Sequence, residues 1–171
     1  MTDLKDPARE AARQALIAKR LRKRAAAPAA RITPRPADAE VPLSYAQERV
    51  WFMDQIAPGE AAYHIAVPLR VRGPLDVAGL RSALAGLTAR HESLRTRFPA
   101  DADGRPTVVV EEAVEVPLTV TEAADADAAR ALVDAASAEP FDLATGPLLR
   151  ALLIRLAADD HVLFLGKHHI V

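Results

Sequence analysis

Two histidines stand side by side near the end of the chain, His168 and His169, closing the apolar stretch from His161 to Val171. Imidazole titrates closer to neutrality than any other unperturbed side chain, so it can take or give a proton under physiological conditions. The stretch is rich in β-branched and aromatic residues, which predicts a buried strand. Successive side chains on a strand point to opposite faces. If the strand persists to its end, only one of the two rings faces a given cleft, and alternation does not say which. Taken alone, such a pair reads first as a core histidine at a strand end. Other chemistries lack their residues. There is no Cys, hence no thiolate nucleophile, disulfide or thiolate metal site. Neither a Gly-x-Ser-x-Gly elbow nor a phosphate-binding glycine loop is present. Adjacent histidines also lack the i, i+4 spacing of a helical zinc motif, so no metal is expected.

The elements that must position these rings can be read from pattern. Ser44 and Gln47 have capping-box spacing, which predicts a helix from there to about Ile56, stopped by Pro58 and Gly59. Trp51 and Phe52 on it read as core or lobe-contact residues. Residues 65–72 alternate, with Ile65, Val67, Leu69 and Val71 on one face. They predict a strand with one dry face, at a sheet edge because of Pro68. Asp76 can cap a helix on which Val77, Leu80, Leu84, Leu87 and His91 fall at helical spacing, placing His91 on the core-facing stripe. Short strands are expected around Arg97, over 106–110 and over 116–121, and a helix over 126–138 stopped by Pro140. Residues 140–147 form a loop, and 148–156 form a strand that makes a hairpin with the last one. The fold class is α/β: a mixed α/β sandwich with helices packed on a sheet.

Charge divides the chain. Residues 1–31 hold nine Lys/Arg against three Asp/Glu, net +6, whereas 32–171 hold thirteen against twenty, net −7. Residues 1–27 read as a basic helix, either a solvated lead-in or a docking segment for an acidic partner. Residues 28–40 are an Ala/Pro-rich linker, and 41–171 the folded domain. No nucleic-acid partner is expected from an acidic domain whose basic segment carries no interleaved aromatic or glycine. No apolar run approaches a membrane span and no signal-peptide core is evident, so no membrane and a cytoplasmic location are expected.

Four stretches together resemble the condensation domain of nonribosomal peptide synthetases. They are Ser44 to Phe52, Arg90 to Phe98, Pro140 to Leu143 with Gly146 to Arg150, and His168 to Val171. The last is similar to the start of the family's His-His-x-x-x-Asp-Gly signature, whose Asp and Gly would fall two and three residues past Val171. The first two stretches look most like the subtype that joins two L-configured residues. The resemblance implies the N-terminal half of a chloramphenicol acetyltransferase-like two-lobe fold, with the active site in a tunnel between lobes.

It further implies an acyltransferase-type, peptide bond-forming enzyme of secondary metabolism. An upstream acyl or peptidyl thioester would be transferred to the amine of a downstream aminoacyl group. Both would ride on the 4'-phosphopantetheine arms of carrier proteins, with no cofactor bound directly. The upstream peptidyl carrier would lie in another subunit, and the downstream carrier and adenylation domains in the same full-length chain. By the same resemblance His169 faces the tunnel as the catalytic residue. His168, Arg90 and Arg95 support the site, with Arg90 pairing with the signature's Asp. The 171 residues alone are expected to be inactive. Two alternatives stay open: a non-catalytic module that binds carrier proteins, and a related coenzyme A-type acyltransferase.

Overall fold

Helix α1 (Tyr45–Ile56) begins where the capping box places it: the Ser44 side chain accepts from the Gln47 N–H, and the Gln47 side chain accepts from the Ser44 N–H. A computed structural model of the chain describes residues 13–19, 33–36 and 39–171. The chain divides into two units, Met1–Ala39 and Glu40–Val171. In the first, residues 13–19 are helical. Most of the expected basic helix and of the expected linker lies outside the described residues.

In the second unit, α1 is followed by β1 (His64–Arg72), α2 (Val77–Arg90), β2 (Thr96–Arg97), β3 (Val109–Val110), β4 (Leu118–Glu122), α3 (Ala126–Ala138), β5 (Leu149–Ala157) and β6 (Asp160–His168). Four strands form a sheet in the order β1-β6-β5-β4, and β2 pairs with β3 separately. The β1–β6 and β5–β6 pairs are antiparallel, whereas β4 lies parallel to β5. A parallel pair requires a crossover, and α3 supplies it. Asp76 and Asp125 cap α2 and α3 by accepting from Ala78 and Ala128 N–H groups, so each start satisfies a donor that helical bonding leaves open.

Alternation sorts the sheet into two faces. Leu149, Ala151 and Leu153 of β5 pack with Leu84 of α2 and the half-buried Leu163 and Leu165 of β6. The opposite face carries Phe164, Gly166 and His168 and lies under α3, which packs against β1, β5 and β6. Gly166 is required there by close approach. A Cβ on it would come within 2.9 Å of the Phe164 ring and 3.4 Å of Arg150 Cγ. A second cluster joins Trp51, Phe98, Phe141, Leu143, Leu148 and Ile170.

Several sequence expectations are corrected. Pro68 does sit in an outer strand, β1. The supposed dry face of that strand is exposed, however, with Val67 at 40% and Leu69 at 46% of full accessibility. Val67 and Leu69 lie opposite Leu165 and Leu163 on the α2 side of the sheet, where neither buried cluster extends over β1. His91 is not on the core stripe. The helix stops at Arg90, His91 turns to extended backbone (φ −112°, ψ 103°), and its ring is exposed. Of the core and lobe-contact options for Trp51 and Phe52, Trp51 takes the core one, whereas Phe52 is exposed together with Tyr45 and Ile56 on the outer side of α1, which removes only the core option for it.

The Trp51 indole N–H donates to the Phe98 carbonyl at 2.9 Å inside the second cluster. Trp51→Phe keeps most of the apolar contact but strands that buried carbonyl. We expect a loss of about 1–3 kcal/mol, read as a lower denaturant midpoint with unchanged slope.

Candidate functional site

The two histidines are separated by burial. His168 is 2% exposed, whereas His169 is exposed. β6 ends at His168 because its partner β1 begins at His64, the residue opposite. The strand therefore does not persist to the end of the chain. His168 to Val171 form a turn in which the Val171 N–H donates to the His168 carbonyl at 3.3 Å. His169 occupies the first central position of that turn, and its own N–H donates to the Tyr63 carbonyl at 2.8 Å. Ile170 drops back into the core at 4% exposure.

His168 is held as a neutral ring. The Ile170 N–H donates to its Nδ1 at 3.3 Å, so the ring proton resides on Nε2. Burial, reinforced by the charges that His64 and His169 would carry, lowers its pKa to about 4. A group so placed cannot serve as a proton carrier near neutrality. The exposed ring of His169 is free to meet a substrate.

Four segments far apart in sequence hold this turn through a closed set of bonds. From α1, Gln47 donates its side-chain amide to the Ile170 carbonyl at 3.1 Å. Trp51 of the same helix reaches the Phe98 carbonyl. The Phe98 N–H donates to Leu143 in the 140–147 loop at 2.6 Å. Leu148, just past that loop, accepts from the His168 N–H at 3.0 Å. The loop itself is shaped by Asp142, which accepts from the Thr145 hydroxyl and from the N–H groups of Ala144 and Thr145. The Thr145 hydroxyl above all holds its carboxyl below the usual range; burial opposes it, and the two N–H groups add smaller lowering effects. Gly146 ends the turn with φ +64°, a conformation that suits glycine.

The arginines are placed differently. Arg90 is the last residue of α2 and is exposed. Arg95 is partly buried, donates to the Glu111 carbonyl and lies 3.6 Å from the Glu92 carboxylate, leaving its Nε buried without a partner. It braces the backbone just past β3 and contacts neither histidine. Among the described residues no cluster of His, Cys, Asp or Glu could hold a metal ion. A cavity of about 610 Å³ lined by Ala135, Glu139, Phe141, Arg150 and Phe164 lies on the α3 side of the sheet and includes neither His168 nor His169.

Sequence reading missed His64. It pairs across the sheet with His168, ring centroids 5.9 Å apart. No spacing signal marks it, because the contact joins residues more than a hundred positions apart.

The His168 pKa gives a signed prediction. The ring is neutral in the folded chain down to about 4, against 6.5 ordinarily. Between those values the unfolded chain binds more protons, so the contribution is complete above about pH 6.5 and is lost as pH falls towards 4. Relative to His168→Phe, the wild-type chain should lose up to about 3 kcal/mol over that window. Denaturation of both at pH 7, 5.5 and 4 measures it, and a pH-independent difference contradicts it.

Residues 37–171 match the condensation domain family. The chain is 46% identical over 166 residues to phosphinothricin tripeptide synthetase PhsC of Streptomyces viridochromogenes, covering 92% of this chain and 15% of that protein. It is 45% identical over 136 residues to the isonitrile lipopeptide synthase of Mycobacterium tuberculosis, covering 77% of this chain and 5% of that protein. Among solved structures, the fold matches the X-domain from teicoplanin biosynthesis in its complex with OxyB. The TM-score is 0.71 at 35% identity, over 82% of this chain and 30% of that one. It also matches the first condensation domain of the calcium-dependent antibiotic synthetase, with a TM-score of 0.68 at 31% identity, over 78% and 34% respectively. The four stretches singled out by sequence, the mixed α/β lobe into which they fold, and these matches agree: the chain belongs to the condensation domain family of nonribosomal peptide synthetases.

Proposed function

We propose that this lobe forms one wall of a condensation site in which His169 assists amide formation between two carrier-bound substrates. The observation that carries the reading is the convergence of all four matching stretches on one turn that buries His168 and exposes His169. The donor is an acyl or peptidyl thioester, and the acceptor is the α-amine of an aminoacyl thioester. Each is tethered through a phosphopantetheine arm. The amine lone pair attacks the thioester carbonyl carbon, the C–N bond forms, the C–S bond breaks, and the proton lost from nitrogen is taken up by the departing thiolate, which leaves as the free phosphopantetheine thiol.

An α-amine has a pKa near 8, so about a tenth is neutral at pH 7. Orienting two tethered reactants can supply roughly 7–11 kcal/mol, whereas one proton-transfer group typically supplies about 10²–10⁴-fold. Positioning therefore outweighs base strength. In this reading His169 hydrogen-bonds the attacking amine and steadies the tetrahedral intermediate. Arg90, exposed at the end of α2, pairs with the acidic residue of the full signature and braces the site. In this reading the upstream carrier belongs to another subunit, and the net +6 charge of residues 1–31 draws an acidic partner. The downstream carrier and adenylation domains share the full-length protein, in the cytoplasm.

A carrier-binding module without catalysis is the alternative that the same experiment separates. In the complete protein, His169→Ala should lower the single-turnover rate on carrier-bound substrates by about 10²–10⁴-fold while carrier binding persists. Unchanged turnover removes His169 from this role. Carrier binding with no wild-type turnover favours recruitment. Deleting residues 1–31 should weaken association with the upstream partner protein, and more strongly at about 20 mM than at about 300 mM salt. Equal association at both rejects the docking assignment.

A further inference from the structure

We propose that His64 is a positioning residue for the reaction at His169: it fixes the His168 ring and, with it, the turn that presents His169. The inference rests on the reading of His169 given above. His64 opens β1 and lies opposite His168 in the register. Its Nδ1 sits 3.0 Å from the Ser137 carbonyl near the end of α3. A carbonyl can only accept, so Nδ1 carries the proton and donates. That bond fixes the plane of the His64 ring. The ring then meets the Phe141 ring edge-on at 5.0 Å and the His168 ring edge-on at 5.9 Å, while Phe141 and His168 lie 6.2 Å apart. The three rings thus form a closed triangle.

The triangle is itself anchored. The Arg150 guanidinium lies 3.6 Å over the Phe141 ring, and Arg150 is held by Glu139 at 2.9 Å and by the Pro140 carbonyl at 2.8 Å. Gly166 makes the space that lets Arg150 cross the sheet. The neighbouring residue completes the case. Tyr63 accepts the His169 N–H through its carbonyl, so two consecutive residues of this chain segment hold the two consecutive histidines. One does so through its backbone and the other through its ring. A purely apolar residue at position 64 would fill the space but would have no proton for the Ser137 carbonyl. The ring plane at position 64 would then be set by packing alone, and the His168 ring, which the Ile170 N–H also holds, would lose a fixed neighbour on its other side. A shift of about 1 Å at a reacting group can cost on the order of a hundredfold in rate.

The test uses the complete protein with carrier-bound substrates. His64→Asn places an amide N–H where Nδ1 stood. His64→Gln is similar in size and polarity but puts its amide near the Nε2 position. His64→Phe keeps the ring and removes the donor. Gln and Phe should lower kcat by about tenfold to a hundredfold, with KM for both carrier substrates held within about twofold, and Asn should restore most of the rate. Combined with His169→Ala, His64→Phe should add no further loss, because it acts through that residue. The Asn and Gln pair keeps the test decisive if the Phe variant does not fold. Additive losses, or an Asn variant no faster than Gln, overturn the positioning role. If His169→Ala alone leaves turnover unchanged, the reading of His169 fails, a result separable from either of these.

Discussion

The apolar cluster of Trp51, Phe98, Phe141, Leu143, Leu148 and Ile170 is the contact on which the histidine turn depends. Its members come from α1, the β2 segment, the 140–147 loop and the turn itself. Burying one such side chain contributes roughly 1.5–3 kcal/mol, enough to offset the ordering of one or two residues each. The hydrogen bonds that link the same segments could not do this alone, since each nets about 1 kcal/mol. They set geometry instead: the indole of Trp51 fixes where the Phe98 strand lies, and the Gln47 amide fixes the Ile170 carbonyl. Gln47 and Ile170 are 123 positions apart. The turn therefore takes shape only as the lobe closes, because loop-closure entropy must be overcome before these contacts form.

The same closure divides labour between adjacent residues. Burial makes His168 a neutral packing group whose nitrogen accepts from the backbone, and charge on it is opposed by desolvation above all. The turn then releases His169 from the sheet, so its side chain stands on the surface while its backbone N–H stays fixed to Tyr63. A reacting group gains from this combination. A fixed backbone limits the positions the imidazole can sample, and exposure leaves its nitrogens without internal partners to displace.

Apolar surface is distributed in a way that a single helix or strand pattern does not explain. Tyr45, Phe52 and Ile56 project from α1, and Val67 and Leu69 from β1, all exposed. Alternation along β1 and helical spacing along α1 show that two faces differ. They do not show which neighbour covers either face. β1 lies at the sheet edge, outside both buried clusters, and α1 commits Trp51 and the half-buried Val50 to one of them.

The local elements and the family were legible from the order of residues. The Ser44 and Gln47 box, the Asp76 cap, the Pro140 stop and the β5–β6 hairpin each rest on interactions between residues a few positions apart, which composition and spacing encode directly. The histidine pair was legible as a candidate for the same reason. Which histidine is buried, where β6 ends, and the contact of His64 with His168 follow only from the folded lobe. Each depends on a partner distant in sequence: β1 opposite His168, Tyr63 beside His169, Ser137 against His64. His91 shows the converse. Its helical phase continues in the sequence, but the C-cap falls at His91 itself, whose extended backbone takes the chain out of the helix, and periodicity carries no information about the residue at which it stops.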